Sequence, residues 1–334
     1  MTLPIIFMKL SIVIINWNSR DLLAKCLDSI CGQEFAGPLE TIVVDGGSFD
    51  GSDVMVRERF PEVQFIQSPD NIGYGRCCNL GACGARGEYL MILNPDTELR
   101  PEAIHAMIGT LAGMPNAGLV GARLIDPDGT FQTSSTHPLP GPFNTFFDCA
   151  MIRKAVWRLS GRSARRLPFP VQAVSGACML VRMSLYRKLG GFNPRFFMYG
   201  EDVDLCQRVR DSGHGVYHVP PALVVHHGGV SSAQQVSGFS SVMIRESVDV
   251  IMRIHRGEFA ALCGRLLMTL SALLRLVAAS VVRLFCARGN CARLDAVIAK
   301  WMLVLRWCCG GEKWASHYFA TTPRRVICNA CNGE

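Results

Sequence analysis

No stretch of this 334-residue chain reads as a clean transmembrane span. The most apolar segment, Leu262–Ala287, is interrupted by Arg265, Arg275 and Arg283. Its longest charge-free piece is about nine residues, against roughly 20 needed to cross a bilayer. Met1–Phe7 is apolar but has no basic residue ahead of it and contains Pro4, so it does not read as a secretory leader. Cys328-x-x-Cys331 has no second pair of the same spacing, which removes the usual zinc reading. Most of the 15 cysteines sit singly in apolar runs (Cys26, Cys178, Cys206, Cys286), as small buried hydrophobes of a reducing compartment do. Gly73-Tyr74-Gly75 lacks the third glycine of a dinucleotide loop and does not follow the first strand signal. Internal repeats and low-complexity tracts are also missing.

Charge is scarce except at one end. From Arg256 onward 11 Lys/Arg face four acids, whereas the first 255 residues carry equal numbers of each, so the whole net charge of +7 lies in the tail. A neutral body argues against a nucleic-acid-binding one. Hydrophobic residues make up 49% of the chain, enough for a sizeable core.

The first 125 residues alternate between two periodicities. Strands are expected at Leu10–Ile15, Thr41–Val44, Val63–Gln67, Tyr89–Leu93 and Leu119–Arg123. Helices are expected at Asp21–Ile30, Ser52–Phe60, Tyr74–Ala85 and Pro101–Leu111, the last with proline at its first position. Such alternation predicts an α/β fold with a mostly parallel sheet flanked by helices. Further on, Val171–Val181 reads as a strand, Glu201–Ser212 as a helix, and Gly215–Val219 and Leu223–Val225 as short strands. Met151–Arg166 holds six basic residues and no acid, a basic loop.

Polar clusters follow the strands. Asn16-Trp17-Asn18 follows the first, Asp45-Gly46-Gly47-Ser48 the second, Asn94-Pro95-Asp96 the fourth, and His226-His227 the last. In a parallel sheet the carboxyl ends of the strands form the ligand rim. Asp96 at a strand end suits a divalent cation that completes its shell with phosphate oxygens and water; an ordinary Asn-Pro-Asp turn has the same residues. Glu201, Asp202 and Asp204 open a helix. The macrodipole alone explains that placement, and it also favours the anionic form that a proton acceptor needs. His226 reads either as a structural histidine or as a metal ligand that would shift the choice towards Mn²⁺.

Taken in order, SIVIINWNS (Ser11–Ser19), VVDGGSFDGS (Val43–Ser52), NIGYGRCCNLG (Asn71–Gly81), LNPDTEL (Leu93–Leu99), SGACMLVR (Ser175–Arg182), GGFNPRFFMYGEDVDLC (Gly190–Cys206) and HHGGVSS (His226–Ser232) resemble the inverting glycosyltransferases of family 2, most closely their rhamnosyltransferase-like subgroup. The resemblance spans roughly Leu10 to Ser232 and implies the nucleotide-diphospho-sugar-binding (GT-A) fold. It implies Asp45 at the donor base, with Asn16, Asn18, Asn71, Asn79 and Asn94 on the nucleotide-sugar. Asp96 would hold Mg²⁺ or Mn²⁺ and through it the diphosphate, with His226 in support. Asp202 would be the general base, with Glu201 beside it. Two positions depart from the family: Asn94 stands where many members have Asp, and Gly46 where Asp or Asn is frequent. The Gln-x-x-Arg-Trp motif of processive synthases is absent, so the expectation is addition of one sugar or a few. The expected donor is dTDP-rhamnose and the expected acceptor a polyprenyl-diphosphate-linked saccharide of cell-surface polysaccharide biosynthesis. A nucleotidyltransferase of the same fold is disfavoured because Asn16–Ser19 holds no Gly-rich basic loop; the remaining alternative is a catalytically inactive, membrane-bound sugar-binding or scaffold protein.

The expected organisation is a catalytic domain over 1–255 and a basic, apolar helical tail over 256–334. On a helical projection Arg265, Arg275 and Arg283 share one side. With Trp301, Trp307 and Trp314 nearby, this predicts a helix lying in a membrane interface. The alternative is a helical hairpin packed on protein. The tail reading places the chain in the cytoplasm, peripheral on the inner face of the cell membrane.

Overall fold

The computed structural model describes residues 10–35, 37–146, 159, 161, 165–228, 238–285 and 291–320. The basic loop at 151–166 falls largely outside them, as do Ser231–Ser232, Cys286 and the Cys328–Cys331 pair. The described residues form two compact units: those within 10–139 and 159–228 make one, those within 140–146 and 238–320 the other.

The first unit is built on a nine-stranded sheet. Its parallel part consists of β1 (Leu10–Asn16), β2 (Leu39–Asp45), β3 (Gln64–Gln67) and β4 (Tyr89–Leu93), in spatial order β3-β2-β1-β4. β1 and β4 are buried along their whole length, which is why they read as unbroken apolar runs and not as alternating ones. Helices α1 (Arg20–Cys31), α2 (Ser52–Arg59) and α3 (Tyr74–Gly84) supply the crossovers. Small residues let α3 lie close on the sheet: a Cβ on Gly81 would sit 2.6 Å from Val13 Cγ1. β5 (Thr97–Leu99) and α4 (Ala103–Gly113) follow, then β6 (Ala117–Ile125).

Beyond β6 the expected pattern is corrected. Val171–Val181 is not one strand. It is divided between β9 (Ala173–Val174) and β10 (Cys178–Arg182), preceded by β8 (Phe169–Pro170), with β9 pairing β7 (Thr136–His137) in a separate ribbon. β10 runs antiparallel between β4 and β6. The two short strands expected at 215–225 are one, β11 (Gly215–His226), parallel to β6 with an irregularity between Val219 and Leu223 where Pro220-Pro221 interrupts the ladder. β5 pairs antiparallel with the end of β11, bringing Thr97 opposite His226. α5 (Pro142–Phe146) belongs to the second unit, while α6 (Met183–Lys188) and α7 (Glu201–Asp211) belong to the first.

The second unit is helical: α5 together with α8 (Phe239–Arg256), α9 (Glu258–Leu284), α10 (Ala292–Cys308) and α11 (Lys313–Ala320). Helix α8, expected with the catalytic body, groups with the tail helices. Helix α9 runs unbroken for 27 residues and by length and composition is long and apolar enough to cross a membrane. The expectation that its arginines rule this out rested on uninterrupted runs; spread over so long a helix, they leave an 18-residue window with a mean hydropathy of 1.7.

Candidate active site

The ends of β1 and β2 are tied to each other by side chains. Asn16 and Asp45 are register partners across the two strands, and Asn16 Nδ2 donates to Asp45 Oδ2 at 2.7 Å. The other carboxylate oxygen of Asp45 accepts from the backbone N–H groups of Gly47 (3.0 Å) and Ser48 (2.7 Å) and from Gln67 Nε2 (2.8 Å). Asp45 is 1% exposed, so its carboxylate acts from below, folding the 45–48 loop. Ser48 Oγ accepts from Asn18 N–H, and Asn18 Oδ1 accepts from Phe49 N–H. Asn18 takes a positive φ of 48°, which asparagine tolerates better than most residues. Asn71 approaches the same loop, its Cγ 3.9 Å from where a Cβ on Gly46 would lie. The other atoms near that Cβ are at 3.5 Å or more, ordinary contact distances, so a Cβ at Gly46 would not clash.

Asn79 does not join this group. Its Nδ2 donates to Phe192 O, and its Oδ1 accepts from Tyr186 O–H and Phe192 N–H. With its amide taken up in fastening the 186–192 segment to α3, Asn79 is a structural latch, and its expected contact with the nucleotide-sugar is withdrawn.

At the other side of the rim β4 ends in Asn94-Pro95-Asp96. Thr97 Oγ1 donates to Asn94 O at 2.6 Å and closes the turn. Asp96 is 6% exposed, and its Oδ1 is buried with no hydrogen-bond partner among the described residues. The β5–β11 pairing delivers His226 to it: His226 Nε2 lies 3.5 Å from Asp96 Oδ1, and Asp96 O accepts from His227 N–H. Gln132 fixes the imidazole. Its Nε2 donates to Asp126 Oδ1 (2.7 Å) and His226 O (2.6 Å), so its Oε1 faces His226 Nδ1 at 2.9 Å as an acceptor. Nδ1 therefore carries the proton and Nε2 presents a lone pair. Burial pushes the His226 pKa below its ordinary value, outweighing the opposing pull of Asp96. Two lone pairs turned towards each other suit a cation. Among the described residues no group of three or more His, Cys, Asp or Glu surrounds a point. A divalent ion here would complete its shell with phosphate oxygens and water.

The third element is α7. Tyr199 (φ 68°) and Gly200 (φ 84°) are both left-handed and turn the chain sharply into its first residue, a strained entry for tyrosine. Glu201 is buried, with Oε2 unpartnered among the described residues. Burial, reinforced by Asp202 and Asp204, raises its pKa to about 8. Asp204 is also buried but has the Arg208 guanidinium at 2.8 Å. Asp202 is half-buried and held by two backbone donors, Gly176 N–H to Oδ2 and Val203 N–H to Oδ1, each at 2.8 Å. Gly176 O in turn accepts from Tyr74 O–H at 2.9 Å, and Ala177 O accepts from Asn94 N–H at 3.0 Å. One short segment, 175–177, thus connects Asp202 to the β4 turn that carries Asp96. Tyr74 is seated by Gly73, where a Cβ would fall 2.5 Å from Phe197 O, at a φ of +90°.

Sequence reasoning missed Gln132 and Tyr74 as supporting residues. Tyr74 lies inside the Asn71–Gly81 motif; Gln132 lies in an unremarkable loop and finds His226 only through folding.

With this geometry in place, comparison with known proteins gives a consistent answer. Residues 11–190 match the family described as Glycosyl transferase family 2, and 159–227 match one described as N-terminal domain of galactosyltransferase. An N-acetylglucosaminyl-diphospho-decaprenol L-rhamnosyltransferase of Mycobacterium tuberculosis is 30% identical over 247 residues, 67% of this chain and 78% of that protein. A low-salt glycan biosynthesis hexosyltransferase of Haloferax volcanii is 26% identical, covering 69% of this chain and 71% of its own. Among solved structures, a mannosyltransferase from Pyrobaculum calidifontis in complex with GDP-Man and Mn²⁺ superimposes with a TM-score of 0.57 at 17% identity, covering 95% of this chain and 86% of that one. GalNAc-T7 with UDP, GalNAc and Mn²⁺ does so with a TM-score of 0.53 at 14% identity, covering 75% and 51%. The chain belongs to glycosyltransferase family 2, and its fold is the mostly parallel GT-A architecture.

Proposed function

We propose that this family 2 glycosyltransferase moves one sugar, rhamnose from dTDP-rhamnose, to a hydroxyl of a polyprenyl-diphosphate-linked saccharide during cell-surface polysaccharide synthesis, with inversion at the anomeric carbon. The observation that carries the reading is the 175–177 segment, in which Gly176 N–H holds the Asp202 carboxylate and the adjacent Ala177 O holds Asn94 N–H at the start of the Asn94–Asp96 turn. A proton acceptor and an anion-binding turn are thereby fixed to the same three residues. The choice of rhamnose is supported by the name of the mycobacterial relative.

In this reading the acceptor oxygen attacks the anomeric carbon as the bond from that carbon to the diphosphate oxygen breaks. The hydroxyl proton passes to Asp202, and the nucleoside diphosphate leaves with the bonding pair. Two backbone N–H groups and the N-terminus of α7 hold Asp202 in one orientation. Glu201, protonated near neutral pH, places no second full charge beside it. The loop built by Asp45, Asn16 and Asn18, with Asn71 against it, holds the nucleotide end, and Asn94 flanks the diphosphate. Asp96 and His226 would hold a divalent ion, Mn²⁺ or Mg²⁺, which would supply charge neutralisation for the leaving diphosphate. The Mn²⁺ in two solved structures of this fold supports that assignment. A lipid-linked acceptor calls for attachment to the inner face of the cell membrane.

The test is a donor screen on the purified full chain with a polyprenyl-diphosphate-linked N-acetylglucosamine acceptor, with product mass and anomeric configuration read out. A deoxyhexose increment from dTDP-rhamnose, with inverted linkage, is the expected result. A hexose or N-acetylhexosamine increment overturns the donor assignment, and retention of configuration overturns the single-displacement mechanism.

A further inference from the structure

The helical unit has its polarity turned inside out. The three arginines of α9 do share one side, as the projection predicts, but that side is turned to neighbouring helices. Arg265 lies over the Trp307 ring at 4.6 Å, Arg275 over the Trp301 ring at 4.4 Å, and Arg283 pairs at the surface with Asp295 at 2.8 Å. Trp301 and Trp307 are buried, and Trp307 Nε1 donates to Glu246 Oε2 at 2.7 Å. Arg245, Glu246, Asp249 and Ser271 are buried in the same interior. Outward point Leu262, Leu266, Leu270, Leu274, Val277 and Val281, with Leu266 61% and Val277 63% exposed. Between Phe259 and Phe285 the charged residues are these three arginines, and none lies on that outward face. A 27-residue helix is about 40 Å long, so this is one continuous apolar ridge, beyond what a water-exposed surface ordinarily shows.

We propose that this ridge of α9 is a lipid-contact surface, inserted lengthwise into one leaflet of an anionic bilayer, with the arginines serving as interhelical ties and not as headgroup contacts. The inference rests on the membrane-side reading above and names the surface that performs it. Two observations select the occupant. The residues from Arg256 onward carry the whole +7 of the chain, which attracts an anionic leaflet and opposes the approach of a second, equally charged copy. Helix α8 packs along α9, and its C-terminal turn exposes Arg253 and Arg256; charged side chains at the surface keep that end of the helix out of hydrocarbon. With one flank covered by α8, α9 lies in the plane of the leaflet instead of crossing it.

Flotation of the full chain with vesicles of phosphatidylcholine and phosphatidylglycerol (3:1) tests this. The native chain is expected to float with the vesicles. L266E/L270E/V277E is expected to lose at least about ten-fold in recovery, with an unchanged melting temperature and unchanged binding of dTDP in calorimetry. A second variant, V277W, places a reporter on the ridge, and its added fluorescence is expected to be quenched by brominated lipids. Flotation of the triple variant at the native level, or an unquenched V277W, overturns the proposal. So does a dimer of the native chain that fails to float and that the triple variant dissociates, and so does retention of the native chain in the membrane through alkaline carbonate, which marks a spanning helix. Calorimetric dTDP binding reports on the catalytic unit alone: a native chain that binds dTDP but does not float overturns the ridge, whereas one that floats but does not bind dTDP overturns the donor reading and leaves the ridge standing.

Discussion

Gln132 and His226 lie 94 positions apart and are joined by two hydrogen bonds, one to the ring and one to the backbone. Because the Gln132 amide nitrogen is committed to Asp126 and to His226 O, its oxygen must accept from Nδ1 and the imidazole has one tautomer. We expect Gln132→Leu to weaken Mn²⁺ binding in the presence of dTDP by about 10–100-fold, the range for loss of a partner that orients a ligand. Calorimetry measures this, and nitrogen chemical shifts of His226 report the tautomer directly. Native affinity with an unaltered tautomer would show that Gln132 does not set the ring.

Asp96 is the charged member of that site, and its Oδ1 has no other partner among the described residues. Asp96→Ala should abolish the metal-dependent part of dTDP affinity while leaving weak, metal-independent binding at the Asp45 loop. Affinity equal to the native value with Mg²⁺ or Mn²⁺ would place the ion elsewhere.

For Asp202 the expected effect is on turnover. Asp202→Asn keeps an acceptor for Gly176 N–H but removes the base. Transfer should fall by about 10²-fold or more, the low end for general-base catalysis, with dTDP affinity nearly unchanged. Near-native turnover would transfer the role to another group.

How much of this was legible in the residues depends on whether the determining interactions are local. β1, β2 and β4 announce themselves because a strand covered on both faces is one apolar run. β5 has only three residues, and its strand character comes from pairing with Val224–His226, more than 100 positions away. The antiparallel course of β10 was equally hidden, since the long excursion from Asp126 to Ala177 can deliver the chain to either end of the sheet. At the site, Asp96 and Asp202 were marked by strand ends and a helix start. Asn79 was misplaced because a motif records identity and not direction, and its amide turned out to serve Phe192 and Tyr186. The arginines of α9 show the same limit. Periodicity put them on one side, but Trp307 and Trp301 on a neighbouring helix decided that Arg265 and Arg275 turn towards protein.

The last prediction concerns Glu201. Its carboxyl is buried, and its pKa is raised from 4.5 to about 8, first by burial and then by Asp202 and Asp204. Between those values the folded chain keeps a proton that the unfolded chain has released, so stability falls as pH rises. The contribution is intact below pH 4.5 and is lost as pH passes through about 8. Glu201→Gln keeps the shape and removes the titration. The variant and the native chain should melt alike near pH 4.5, and the variant should gain as pH rises, by at least about 3 °C at pH 9, given about 2–4 °C per kcal/mol for domains of 150–250 residues. Transfer at neutral pH should persist, since glutamine resembles the protonated acid. Parallel melting curves for both proteins from pH 5 to 9 would mean that Glu201 ionises freely and that its burial is relieved by solvent. Loss of transfer at neutral pH with native stability would instead move Glu201 from support of Asp202 to a direct part in proton transfer.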